Sequence, residues 1–210
     1  MKKLILLCLL GLSTVNAQTT NNDLAIAIVY DTSGSMNGQA KDAGENTIPK
    51  YKIANAALKS IIDKIDAYAS THSVYATLIT FHGTPVPLSS WNKKAFNTWL
   101  TAFKTPANGT PLGEAIEAAD KSLQTVKAKE KHIVVLTDGE SNGNLAPEKA
   151  ITQMKANTNP PKLYIVAFDV NSAHFDNIKQ SALILPATGQ NLETGLNNLF
   201  GTKILLENED

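Results

Sequence analysis

Three runs of almost uninterrupted apolar residues, Leu24 to Tyr30, Ile133 to Leu136 and Leu163 to Phe168, constrain this chain more than any other feature. A strand with one wet face alternates apolar and polar residues. These runs do not alternate, so each reads as a strand buried on both faces. Amphipathic stretches lie between them: Ala54, Ala57, Leu58, Ile61, Ile62 and Ile65 fall at helical spacing, as do Leu112, Ala115, Ile116, Ala119 and Leu123, and then Ala150, Ile151 and Met154. Ser73 to Phe81 reads as a further strand, Val86 to Leu88 as an edge strand beside Pro85 and Pro87, and Leu183 to Leu185 as the last strand. More helices are expected at Phe96 to Phe103 with Ser89 or Ser90 as cap, around Phe175 and Ile178, and from Leu192 to Phe200. Strands alternating with helices predict an α/β fold, doubly wound, with a mostly parallel sheet covered on both faces.

The first residues read differently. Lys2 and Lys3, the apolar stretch Leu4 to Leu12, and Val15-Asn16-Ala17 have the order of a cleaved export signal. The stretch is shorter than the roughly 20 residues that span a bilayer. Residues 1–17 are therefore expected to be removed, leaving a polar lead-in at 18–22, one domain over 23–206 and a tail at 207–210, in a periplasmic or secreted protein. Cys8, the single cysteine, would leave with the signal, so no disulfide would hold the mature chain. Removing Lys2 and Lys3 from 19 basic residues leaves 17 against 19 acidic ones, a net charge of 17 − 19, or −2. All the basic residues are lysines, which argues against nucleic-acid recognition by arginine forks on a basic face.

Asp31 and Asp138 each follow one of these buried runs. In open α/β sheets ligands bind at the C-terminal ends of strands. In Asp31-Thr32-Ser33-Gly34-Ser35 a carboxylate and two hydroxyls alternate, and Gly34 lets the backbone curl so that they converge. Such oxygens form part of a shell for a hard divalent cation, although a plain Asp/Ser/Gly turn has the same composition. Thr110, in Gly109-Thr110-Pro111-Leu112-Gly113-Glu114, has two readings as well, the N-cap of the following helix or a hydroxyl that reaches a metal. The long connection Met36 to Lys50 carries Asp42 and Glu45, which read as solvated loop charges ahead of a second cation site.

Taken together, Asp31-Thr32-Ser33-Gly34-Ser35, Thr110 and Thr137-Asp138-Gly139 resemble the metal-ion-dependent adhesion site of von Willebrand factor type A domains, in order and spacing. The resemblance extends from about Asn21 to Leu206. It implies six strands in the order 3-2-1-4-5-6 with the third antiparallel. It also implies direct metal binding by Ser33 and Ser35, binding by Thr110 directly or through water, and largely water-mediated roles for Asp31 and Asp138. The implied cofactor is Mg²⁺, with Mn²⁺ or Ca²⁺ as alternatives, and the implied partner is a protein that presents an Asp or Glu carboxylate. The family's behaviour couples the Thr110 loop to the last helix.

An enzyme would need a placed acid, base or nucleophile besides the metal. His132 starts the strand that ends at Asp138, and only His82, at the end of a neighbouring strand, is expected near the rim. A Mg²⁺-dependent phosphohydrolase is the principal alternative, but the second carboxylate of its Asp-x-Asp loop is Ser33 here. A Gly-rich phosphate loop is missing too. A third reading keeps the fold and makes the metal purely structural.

Overall fold

The computed structural model describes residues 24–206. The expected signal at 1–17, the lead-in at 18–22 and the tail at 207–210 lie outside the described residues. The apolar runs form strands β1 (Leu24–Tyr30), β6 (Glu130–Thr137) and β7 (Lys162–Phe168). Strands β4 (Val74–Thr80), β5 (Val86–Ser90) and β8 (Leu183–Ala187) complete a six-stranded sheet in the order β5-β4-β1-β6-β7-β8. Counting only its own strands along the chain, that is 3-2-1-4-5-6. β5 runs antiparallel to β4, and the other pairs are parallel.

The period of two in β1 divides the core. Leu24, Ile26, Ile28 and Tyr30 face a layer made by helix α1 (Lys50–Ala69), helix α2 (Lys93–Ala102) and helix α5 (Leu192–Leu199). Ala25, Ala27 and Val29 face helix α3 (Leu112–Gln124) and helix α4 (Pro147–Lys155). Small residues on the second face let α3 approach the sheet closely. On the first face the fully buried Tyr30 stacks edge-on against Trp99 and Phe103 and donates its hydroxyl to Asn55 Oδ1 at 2.6 Å.

Two expectations need correction. The segment around Phe175 and Ile178 is a single 3₁₀ turn, Ser172–Phe175, capped by Asn171 and followed by turns in which Ile178 N donates to Phe175 O at 3.0 Å; a spacing of three puts both side chains on one side of such turns as well as of a helix. Helix α2 is capped by Asn92, whose Oδ1 accepts from Ala95 N at 3.1 Å, whereas Ser89 and Ser90 belong to β5. The connection from Met36 to Lys50 is ordered as a 3₁₀ turn, Gly34–Asn37, and a hairpin of β2 (Gln39–Lys41) and β3 (Thr47–Pro49). Asp42 Oδ1 accepts from Gly44 N and Asn46 N, both at 2.8 Å, and so holds the hairpin turn. The hairpin rests on the β8–α5 loop at Gly189, where an added Cβ would lie 2.2 Å from Lys41 O.

Candidate metal centre

β1 and β6 are neighbours in parallel register, Tyr30 opposite Leu136, so their next residues leave the sheet side by side. Asp31 N donates to Leu136 O at 3.0 Å, which fixes where the first loop begins. Both oxygens of the buried Asp31 carboxylate are engaged. Oδ1 accepts from Ser33 N at 2.6 Å, which bends the chain into an Asx turn. Oδ2 accepts from Thr137 Oγ1 at 2.6 Å and from Asp138 N at 3.3 Å. The turn swings the two serines together: Ser33 Oγ and Ser35 Oγ are 2.9 Å apart, and Ser35 Oγ donates to Asp138 Oδ1 at 2.6 Å.

The third loop closes over these. Ala107 N donates to Thr32 O at 2.8 Å and Gly34 N donates to Asn108 O at 3.0 Å. A Cβ placed on Gly139 would lie 3.3 Å from Thr110 Oγ1 and 3.6 Å from Ser35 Oγ, so hydroxyls from two loops face one point that a side chain would fill. All five expected residues, Asp31, Ser33, Ser35, Thr110 and Asp138, thus border one small region at the sheet's C-terminal edge. Thr110 does not cap α3: the cap position is Pro111 and it makes no side-chain cap bond. The buried hydroxyl of Thr110 is therefore not committed to the helix.

Three participants were not legible as site residues. Asn142 Oδ1 accepts from Thr110 N at 2.6 Å, and Asn142 N donates to Thr110 O at 3.0 Å. Thr137 seats the Asp31 carboxylate. Lys50 Nζ sits 3.0 Å from Asp138 Oδ2, whose side chain is fully buried. His82 is a structural tie, as its backbone exchanges hydrogen bonds of 2.9 and 3.1 Å with Thr32 Oγ1 and its Nε2 lies 3.0 Å from Gly109 O. A groove of about 400 Å³ opens beside it, lined by Thr32, His82, Trp99, Phe103, Lys104 and Asn108.

The residues fit a small divalent cation. The donor set is all oxygen, hydroxyls and carboxylates, which is what hard Mg²⁺ prefers, and the two serine hydroxyls already lie side by side, hydrogen-bonded at 2.9 Å. Burial pushes the Asp31 carboxyl up from its ordinary range, opposed by hydrogen bonds from Ser33 and Thr137 and reinforced by the Asp138 charge. A carboxylate as buried as that of Asp31 costs free energy to keep ionised without nearby positive charge.

The family model of the von Willebrand factor type A domain matches residues 25–187. The uncharacterized protein YwmD of Bacillus subtilis (strain 168) is 25% identical over 202 residues, covering 87% of this chain and 88% of its own. Among solved structures, the vWF domain of the type V pili tip protein Mfa5 from Porphyromonas gingivalis has a TM-score of 0.69 at 14% identity, over 85% of this chain and 94% of that one. The pilus adhesin SpaC from Lactobacillus rhamnosus GG, in its open conformation, has a TM-score of 0.69 at 15% identity over 86% of this chain, which spans 30% of the adhesin. At such identities the two structures speak to the fold alone. With the family model running from β1 to the end of β8, this chain belongs to the von Willebrand factor type A domain family.

Proposed function

We propose that this chain is an exported, metal-dependent protein-interaction module of the adhesion type. Its cation would be held by Ser33, Ser35 and Thr110 and balanced by Asp31 and Asp138. The observation that carries the reading is the unbroken run of short contacts from Ser33 Oγ through Ser35 Oγ to Asp138 Oδ1, at 2.9 and 2.6 Å, laid over a buried Asp31. Hydroxyls as the inner oxygens quench the charge of a metal less than carboxylates do. Bound there, Mg²⁺ or Mn²⁺, or Ca²⁺ in their place, would supply an electrophilic position for a carboxylate from a partner protein. Asp31 holds Ser33 and the start of the Asp138 loop in place, and the neighbouring groove with Lys104 at its edge offers the rest of an acidic partner a surface.

Binding fits this set better than catalysis. His82 is tied up with Thr32 and Gly109, and the buried His132 lies at the opposite end of β6 from Asp138. Pilus tip proteins and pilus adhesins among the structural relatives support an extracellular adhesive role by analogy.

The test is capture of partners from envelope and surface fractions by the purified mature protein, with and without chelator, beside Asp31→Ala and Ser33→Ala variants. Capture that chelation and both substitutions abolish supports the reading. Capture that survives all three overturns it. Since a ligand of the native state raises stability, by about 2.7 kcal/mol at a hundredfold excess over its Kd, chelation should also lower the melting temperature.

A further inference from the structure

Lys50 is the first residue of α1, and its ammonium reaches over the C-terminal edge of the sheet to the metal centre. Nζ lies 3.0 Å from Asp138 Oδ2 and 3.4 Å from Asp169 Oδ2, and it donates to Asp169 O at 3.4 Å. The lysine side chain is only 14% exposed and that of Asp138 is fully buried, so this is not a wandering surface charge. Its backbone is fixed too. Lys50 N donates to Gly38 O at 2.8 Å, closing the hairpin, and the hairpin is anchored at Gly189. One carboxylate therefore serves two masters: Asp138 Oδ1 takes the Ser35 hydroxyl and Oδ2 takes a lysine.

We propose that Lys50 is a specificity-determining residue of the metal centre, a built-in cation that shares Asp138 with the divalent ion. It lowers the affinity for that ion and leaves the loaded centre with surplus positive charge for an anionic partner. The proposal rests on the metal reading above. Asp31 and Asp138 contribute −2, a divalent ion +2 and Lys50 +1, so the loaded set carries +1, where the two aspartates and the ion alone would be neutral. Asp169, 40% exposed, is screened by water and offsets this only in part. Two cations that share a buried carboxylate repel each other strongly, because little water lies between them.

Replacing the lysine has opposite effects on the empty and the loaded protein. Without Mg²⁺, a neutral residue leaves the buried Asp138 charge without its partner and lowers stability. With Mg²⁺ the repulsion is gone and binding tightens. A salt bridge of purely structural value would show the first effect without the second.

The experiment measures MgCl₂ binding to the mature protein by calorimetry and by shift of the melting temperature, in wild type, Lys50→Met and Lys50→Arg. Lys50→Met is expected to bind Mg²⁺ about tenfold tighter, with a larger Mg²⁺-induced rise in melting temperature, and Lys50→Arg to stay within about twofold of wild type. Equal or weaker binding by Lys50→Met, with wild type binding normally, overturns the proposal and leaves the metal reading standing. No Mg²⁺ binding by wild type overturns the metal reading itself and this proposal with it. If neither Lys50→Met nor Lys50→Gln folds even with Mg²⁺ present, Lys50 is a structural tie and the proposal is wrong.

Discussion

Asn142 grips the peptide of Thr110 from both sides, accepting from its N–H at 2.6 Å and donating to its carbonyl at 3.0 Å. The loop after β6 and the loop before α3 are thereby joined. An Asn142→Ala variant loses the acceptor and leaves Thr110 N without its partner. It should lose about 1 kcal/mol of stability and bind Mg²⁺ several-fold more weakly, while Asn142→Asp keeps the acceptor and the position. Calorimetry on the two variants checks this, and equal affinities would remove Asn142 from the site.

Thr110 itself separates structure from function. Because its hydroxyl caps no helix, Thr110→Ala should cost less stability than the roughly 0.5–2 kcal/mol of a lost cap. We expect the variant to keep its fold and much of its metal binding but to lose chelator-sensitive capture of partner. The measurement is capture at equal folded concentration, and wild-type capture by the variant would rule out the adhesion-type role of this residue.

Gly113 stands where α3 passes the loop after β6. A Cβ there would fall 2.0 Å from Leu145 O, so Gly113→Ala must push the two apart. The expected loss is about 1–3 kcal/mol, visible in denaturant unfolding. Because the same loop carries Asn142, Mg²⁺ affinity should fall as well.

His132 sets a pH dependence far from the metal centre. Burial pushes its pKa down from 6.5 to about 4; Lys162 pushes the same way and Glu130 opposes. Its Nδ1 has no hydrogen-bond partner among the described residues, and its ring stacks on Tyr164. The folded protein thus holds the neutral imidazole while the unfolded chain protonates near pH 6.5. This contribution is full above about pH 6.5 and is lost as the pH falls toward 4, a difference on the order of 3 kcal/mol. Melting temperatures across that range should flatten in His132→Phe, which preserves the stacking.

The fold was legible because the apolar runs of β1, β6 and β7 are separated by amphipathic helical stretches, a pattern that a parallel sheet covered by helices accommodates. Local signals failed where distant groups decided the outcome. Thr110 stood where caps stand, but its backbone is claimed by Asn142, 32 residues away. Phe175 and Ile178 are spaced like a helix face, but a spacing of three suits consecutive i→i+3 turns equally well, and the local pattern does not separate the two. Lys50 left one faint trace. It is a cation at the start of a helix with no acid in its first turn, where the helix dipole disfavours positive charge. Its reason for being there, Asp138, is 88 residues further on.

The seating of Asp31 against Thr137 has a consequence for how the molecule is made. The two residues are separated by 106 positions, and β1 acquires its flanking strands only when Val74 and Glu130 have arrived. Closing contacts over such separations is slow and comes after local structure. No nascent or truncated form lacking β6 can assemble the oxygen cluster, and an isolated peptide carrying Asp31 to Ser35 should be inert toward ions. On the proposed metal reading, affinity for a cation would appear only once β1, the Thr110 loop and β6 have come together.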